Sequence, residues 1–471
     1  MYRTATACLL GSLLANGLIA SAAYAQEATS KAIPQRPAIM FNRWQEDWSV
    51  LADPRVPRRP LDSLKYVPLP WLGPYSYISF GANFRERFES NSAPQFGTGG
   101  KHSQSYLISR TELHADLHLG QHIQAFAQIQ SDFAPWKTQP SPPDIDRLDL
   151  EQAFVALTES IGGGTMKLRV GRQQFAFDLQ RFVSSRDGPN VRQSFDAVWA
   201  DYETGPWRFI GFLTQPVQTV DERIFDDYSN GRRTFSGLRF ERKLSDTMSL
   251  SGFYTHYTNE GARFITVGGN ERRDSFDLHF AGTADNFDWD VEGMAQTGRV
   301  GTEGVSAWAF GSLGGYTFKD VAWSPRIGLQ VDAASGDRNP HDNTLNTFNP
   351  LFPNGSYLNL AGYSAYVNFI QIKPSITVHP TAATKLMFAV APEWRETTSD
   401  AVYTQLNIPI AGTAGKGGRY SGTYGQIRLD WTLSRSTSFA VEADHFEVAD
   451  SIRNAGGHNG NYIGVQISHG W

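Results

Sequence analysis

From Tyr77 onward the chain alternates apolar and polar positions with a period of two, in runs bounded by turn residues, as half-exposed β-strands do. These runs predict 18 strands, at 77–89, 105–119, 122–133, 148–158, 166–174, 194–203, 206–214, 234–243, 247–258, 274–283, 286–297, 305–317, 324–333, 362–378, 384–395, 422–433, 437–447 and 461–471. In the first, Ile78, Phe80, Ala82, Phe84 and Phe88 share one face, and Ser79, Asn83, Arg85, Arg87 and Glu89 the other. In the second, Leu107, Leu113, Ala115, Leu117 and Leu119 oppose Arg110, Glu112, His114, Asp116 and His118. The eleventh sets Phe287, Trp289, Val291 and Ala295 against Asp288, Asp290, Glu292 and Gln296. No helical stripe runs for long. Alternation alone fits a soluble β-domain equally well, since such a domain buries one face and solvates the other.

The connections, the secretory signal and the chain end together decide between the two. Short turns such as Gly120-Gln121, Glu203-Thr204-Gly205, Ser245-Asp246 and Ser434-Arg435-Ser436 alternate almost throughout with stretches of about 8 to 30 residues. Outer-membrane barrels have short periplasmic turns and long external loops, and a soluble sandwich has no comparable reason for the asymmetry. A lipid-facing barrel is also apolar outside and free to be polar in its wet interior. The predicted fold is therefore all-β: one 18-stranded antiparallel transmembrane β-barrel over residues 77–471. In the final strand Ile463, Val465, Ile467 and Trp471 share a face, although His469 interrupts the row. A last strand with a terminal aromatic resembles the assembly signal of such barrels, where phenylalanine is more usual. Outer-membrane lipid and the barrel-assembly machinery are thus expected partners.

Residues 1–25 read as a secretory signal, with Arg3, an apolar stretch from Ala7 to Ala20 and the small-residue end Ala23-Tyr24-Ala25. A spanning anchor needs about 20 predominantly apolar residues, more than this run supplies. The sole cysteine, Cys8, lies inside the signal, so the mature chain offers neither a disulfide framework nor a cysteine metal site. Losing Arg3 takes the formal charge from −5 to −6, a balance that does not suit nucleic acid. Residues 26–76 are rich in proline (Pro34, Pro37, Pro54, Pro57, Pro60, Pro68, Pro70, Pro74) and predict an irregular N-terminal segment on the periplasmic side. About 446 mature residues would ordinarily suggest two or three soluble domains, yet no linker divides the chain after residue 77. A large barrel is one of few ways to make a single unit that long.

Several segments resemble the alginate-export family of outer-membrane porins. NRWQEDWSVLADP from Asn42 to Pro54, with LDSLKY from Leu61 to Tyr66, is similar to that family's N-terminal segment. GRQQF at Gly171 to Phe175 and RDGPNVRQSFD at Arg186 to Asp196 resemble its most distinctive pair, and ASGDR at Ala334 to Arg338 with TFNPLFP at Thr347 to Pro353 its long-loop pattern. The resemblance spans most of the mature chain. It implies an 18-stranded barrel and, in the alginate-transporting type, an arginine-rich constriction that selects an anionic polymer. Members share fold more than cargo. That type also has a long periplasmic turn near the C-terminal end that plugs the pore; residues 434–436 are too few for one, whereas loops 334–362 and 396–421 are long enough to fold inward.

The alternation points Arg85, Arg87, Arg110, Lys167, Arg169, Arg239, Arg326, Lys385 and Arg428 inward, together with Glu112, Asp116, Glu241, Asp288, Asp290, Glu292, Asp332, Asp430, Glu442 and Asp444. Guanidinium forks donate in pairs and suit uronate carboxylates, while the alternative role, pairing with neighbouring acids to stiffen a wet lumen, weighs equally for any one of them. Candidate pore-lining residues are Arg85, Arg87, Arg110, Arg169, Arg186, Arg192, Arg239, Arg326, Arg428, Asp332 and Asp430. Asp187-Gly188-Pro189-Asn190 is turn chemistry, which favours a loop folded against the wall with Arg186 and Arg192 pairing there, over one that narrows the mouth.

His114, Asp116 and His118 form an H-x-D-x-H row, but ligands two residues apart on a strand stand roughly 6 to 7 Å apart, so polar residues lining water are the preferred reading. No G-x-S-x-G, H-E-x-x-H or P-loop occurs. The expected function is a passive channel, with no enzyme chemistry, cofactor or metal, for hydrophilic and anionic solutes such as an oligo- or polysaccharide. The alternatives are a general or small-organic-acid porin, an outer-membrane enzyme with lumenal catalysis, and a soluble periplasmic β-protein.

Overall fold

Every one of the 18 strands predicted from the alternation is present in the computed structural model, which describes residues 34–471. The signal over residues 1–25 lies outside the described residues. The strands are β1 (Tyr77–Asn91), β2 (Gln104–Leu119), β3 (Ile123–Phe133), β4 (Asp146–Ile161), β5 (Gly164–Gln173), β6 (Phe195–Thr204), β7 (Trp207–Gln218), β8 (Arg233–Lys243) and β9 (Met248–Arg263). They continue with β10 (Gly268–Ala284), β11 (Phe287–Val300), β12 (Glu303–Thr317), β13 (Arg326–Ala334), β14 (Phe369–Thr381), β15 (Thr384–Trp394), β16 (Tyr420–Thr432), β17 (Thr437–Val448) and β18 (Gly460–Gly470). Each pairs antiparallel with its chain neighbours, and β1 pairs with β18 from Asn83↔Gly470 to Asn91↔Tyr462. Closure satisfies the backbone of every spanning strand and leaves no edge, the condition for crossing a bilayer with strands.

The outward face is a continuous apolar surface that includes Leu213, Leu238, Leu278, Val155, Phe276 and Ile327, all more than half exposed. Towards the short-turn end it gathers aromatics in contact, Trp207 on Phe209, Phe287 on Tyr316 and Phe280 on Trp289, as an interfacial belt does. Among the described residues no helix is long and apolar enough to cross a membrane; the strands do so.

Three connections depart from the expected lengths. Strands β9 to β12 run further than the apolar alternation does, so loops 264–267 and 301–302 on the long-loop side shrink to hairpins, while turn 318–325 on the other side is longer than its fellows. The extensions pair polar residues such as Asn259, Glu271 and Arg272 beyond the apolar band, where the ladder can face water. The fourteenth strand begins at Phe369 and not at 362: residues 363–368 are buried inside the barrel, with Tyr363 and Tyr366 packed in its interior. The expected alternation had read a buried loop segment as strand, because both are rich in apolar residues.

That segment belongs to an inward layer. Loop 174–194 contributes Phe175, Phe177, Phe182 and Val183, and loop 335–368 contributes Leu345, Phe348, Leu351, Phe352 and Tyr366, to one apolar cluster with Trp199, Phe212, Phe235 and Phe253 of β6 to β9. A fully buried Phe contributes about 1.5–3 kcal/mol, so this packing outweighs any single ion pair in holding the two loops inside. Loops 395–419 and 449–459 pack on β15 to β18 through Val402, Ile410, Ile452, Phe446 and Tyr424. One motif glycine is required by the backbone: Gly171 has φ +130°, and a Cβ there would strike the carbonyl oxygen of Ala153 on β4.

Residues 34–76 enter the bore from the short-turn end. They form short helical turns at Arg43–Gln45, Trp48–Ala52 and Asp62–Lys65, and Val67–Pro68 pairs with the start of β1. Arg43 is buried and donates to the carbonyl of Ala82 at 3.1 Å, to Asn83 Oδ1 at 2.6 Å and to the Trp471 carbonyl at 2.8 Å. Trp44 stands edge-on to Phe154, and its carbonyl accepts from Gln124 Nε2 at 2.8 Å.

Candidate functional site

Where the N-terminal segment and loop 174–194 approach each other inside the barrel, they leave a cavity of about 350 Å³ against β1, β2 and β16 to β18. Ile39, Met40 and Phe41 bound it on one side, and turn residues 434–436 on another. Its charged lining is Arg85, Arg110, Arg192 and Arg435 against Glu112 and Asp187, four guanidinium groups to two carboxylates.

Period two on β1 and β2 sets Arg85, Arg87 and Arg110 on the inner face, and Arg85 stands directly opposite Arg110 across the pair. Loop 174–194 answers these cations with its own backbone. Arg85 donates to the carbonyls of Asp187 and Pro189, both at 2.8 Å, and Arg87 to that of Gly188 at 2.7 Å. Arg110 donates to the carbonyl of Asn190 at 2.7 Å and to Asp187 Oδ1 at 2.6 Å. The Asn190 side chain donates to the carbonyls of Ser109, Phe133 and Asp144, each at 3.0–3.1 Å, which clamps the loop to the wall. Arg192 pairs with Glu112 at 2.6 Å and Asp187 at 2.7 Å, and its guanidinium lies 4.3 Å from the Phe41 ring. Although burial opposes ionisation, Arg192, Arg110 and Arg85 together hold the Asp187 carboxyl well below the usual carboxylate range. Arg192 is buried too, and Glu112 and Asp187 raise its pKa above the ordinary arginine value.

The other predicted residues are distributed around the bore and do not join this cavity. Arg186 lies under loop 335–368, its Nη2 donating to the Leu351 carbonyl at 2.9 Å and its guanidinium over Phe352; burial pulls it down to about 10. Among the described residues no carboxylate lies within ion-pair distance of Arg169, which is enclosed by Trp44, Trp199 and Phe154 at 4.4, 5.1 and 5.6 Å. Arg239 makes a bidentate pair with Asp178, both bonds 2.7 Å, and Arg326 pairs with Asp288. Arg428 bridges Asp430 at 2.9 Å and Glu442 at 2.8 Å, and Lys385 reaches Asp430 at 3.1 Å. Asp332 accepts from Tyr357, Tyr366 and Gln330. In the H-x-D-x-H row, Asp116 accepts from Gln124 and sits 3.0 Å from His118, while His114 stacks on Phe126.

The sequence reading missed Phe41, Asp187 and Arg435 as lining residues. Asp187 was visible as an acid five residues before Arg192 in a turn. Nothing in the alternation marks Phe41, because it lies outside any strand.

The family model described as alginate export matches residues 76–466. No curated protein matches the chain in sequence. Among solved structures the chain is similar to OccAB1 of Acinetobacter baumannii, with 11% identity, 84% of this chain and 96% of that one covered, and a TM-score of 0.56. It is similar as well to the outer membrane protein opdK of Pseudomonas aeruginosa, at 8% identity, 84% and 98% coverage and a TM-score of 0.55. Pseudomonas aeruginosa OccK2 (OpdF), solved in complex with glucuronate, shows 10% identity, 83% and 96% coverage and a TM-score of 0.51.

Proposed function

The chain belongs to the alginate-export family and forms an outer-membrane channel, and from that premise we propose that it passes hydrophilic anionic solutes of the uronate oligo- or polysaccharide kind past the arginine-lined cavity. The observation that carries the reading is the cation excess of the lining, four guanidinium groups to two carboxylates. Arg85 and Arg110 are largely engaged by loop carbonyls, so they set the local field and the width. Arg192 is itself paired with Glu112 and Asp187, so the exposed Arg435 is the group best placed to meet a passing carboxylate. Selection is by width and field, with no covalent step. In this reading the short turns and residues 34–76 face the periplasm, and β18 with Trp471 is the segment offered to the barrel-assembly machinery.

A second reading, a porin for small organic acids, is favoured by the cavity volume, which lies at the small-ligand end of the usual range. Glucuronate bound to OccK2 is a solute of that size. Planar-bilayer recording separates the two. Anion-selective conductance reduced by both glucuronate and oligouronates supports the first reading; a response to glucuronate alone supports the second. Arg435→Gln should move the reversal potential towards cations and weaken the block about tenfold, the loss of one charge-assisted contact of about 1.4 kcal/mol. Cation selectivity in the unaltered channel would sink both.

A further inference from the structure

On the long-loop side of the barrel, away from the cavity, three carboxylates meet. Asp146 and Asp149 come from the first residues of β4, and Asp227 from loop 219–232. One carboxylate oxygen from each lies within 4.8 Å of the other two. Asp146 is 0% and Asp149 2% exposed. Asp146 Oδ2 accepts from Gln130 at 2.7 Å, but its Oδ1 is buried with no hydrogen-bond partner, the costliest state for an ionised oxygen. Asp226, next in the loop, also has a buried and unpartnered Oδ1.

The cations nearby neutralise the group only in part. Arg172 Nη1 is 3.9 Å from Asp149 Oδ1, but it donates to the Leu150 carbonyl, and Nε and Nη2 hold Asp196 at 3.0 and 3.2 Å. Arg147 is paired with Asp221 at 3.1 Å. What holds the carboxylates together against repulsion is backbone: Asp149 Oδ2 accepts the N–H groups of Asp226 and Asp227 at 2.7 and 3.0 Å, and Phe225 N–H donates to the Leu148 carbonyl at 2.9 Å. The other acidic group, Asp178 with Asp277 and Glu292, differs in having Arg239 and His279 in direct contact with Asp178 and Arg181 with Glu292, although both oxygens of Asp277 are buried without a hydrogen-bond partner.

We infer that Asp146, Asp149 and Asp227 bind a calcium ion that fastens loop 219–232 to the start of β4. The donors are all oxygen, which selects a hard cation over zinc or copper. They come from one strand and one loop and supply no octahedral cage, which suits the irregular, higher coordination of calcium better than magnesium. Completing the shell would engage the free Oδ1 of Asp146 and water.

The test uses the full chain refolded in detergent without lipopolysaccharide and freed of metal by chelation. Calorimetric titration with calcium chloride should give saturable binding at one site, and hydrogen exchange in 219–232 should slow about tenfold when the site is filled. Asp146→Asn and Asp227→Asn, both near-isosteric, should abolish the binding and the slowing while the barrel keeps its heat-modifiable migration. Absence of saturable binding, equal binding by both variants, or magnesium binding as tightly as calcium would each overturn the assignment. A failure here leaves the anion-channel reading untouched, because the cavity shares no residue with this site.

Discussion

Arg181 shows how much a single side chain can tie together inside this barrel. It comes from loop 174–194, is wholly buried, and meets Asp290 at 2.7 Å, Glu292 at 2.8 Å and the Tyr357 hydroxyl at 2.8 Å, with Asp332 at 4.0 Å. Burial opposes the charge, yet these neighbours raise the guanidinium well above its ordinary pKa. Removing the cation would leave the buried Glu292 without its ion-pair partner, a change that costs about 3–5 kcal/mol. Arg181→Met should therefore loosen loop 174–194, seen as faster hydrogen exchange in that loop and noisier single-channel current, with the strands still protected. Unchanged exchange would mean that the aromatic cluster alone holds the loop. Arg85, Arg87 and Arg110 were legible from the sequence because strand periodicity fixes their direction. Arg181 was not, since a loop has no period and the residue that meets three acids is recognisable only once β11 and β13 are curved towards it.

At the scale of elements, the docking of residues 34–76 depends on Lys65. Its side chain is buried, its Nζ has no hydrogen-bond partner, and it lies 5.1 Å from the ring centres of both Trp48 and Trp471. Arg43, Glu46, His114 and Asp116 face it from the same segment and from β2. Burial first, then the Arg43 charge, lower the ammonium from 10.5 to about 7. A base whose pKa falls on docking binds fewer protons docked than free, so docking strengthens as pH rises from 7 to 10.5 and is weakest below 7. The urea concentration that releases the segment, followed by tryptophan fluorescence, should be higher at pH 9.5 than at pH 6.5, and Lys65→Met should remove most of the difference. An equal midpoint at both pH values would refute the role. Strands were legible at this scale and docked irregular segments were not, for the reason that also misplaced the start of β14. Apolar residues packed inside by a loop, such as Tyr363 and Tyr366, have the same composition as strand residues and no periodicity to separate them.

For the whole molecule, the two solvents of the barrel explain why its fold was readable while its interior and its rim site were only partly so. Lipid imposes one rule on every outward position, and a rule repeated along 18 strands survives errors at any one of them. The lumen imposes none: Arg169 between rings, Asp332 between phenols and the arginines of the cavity are three different solutions on inward positions that look alike in sequence. The aspartates at the rim, Asp146, Asp149 and Asp227, meet only because a loop folds back on a strand that starts far upstream. Lipid-facing and lumen-facing substitutions should accordingly act on different quantities. Leu238 lies at the middle of β8 with 66% of its surface exposed to the outside, between Gly211 and Tyr254 on the neighbouring strands. Leu238→Arg sets a guanidinium near the bilayer midplane and should lower folding stability by about 2–4 kcal/mol in lipid vesicles, read from urea unfolding followed by gel mobility. Arg239→Gln, one residue along and facing inward onto Asp178, should leave insertion intact and change the lumen instead. If Leu238→Arg cost as much in a detergent micelle as in lipid, or if the cost of Arg239→Gln changed between micelle and lipid as much as that of Leu238→Arg, the assignment of this face to the membrane would fail.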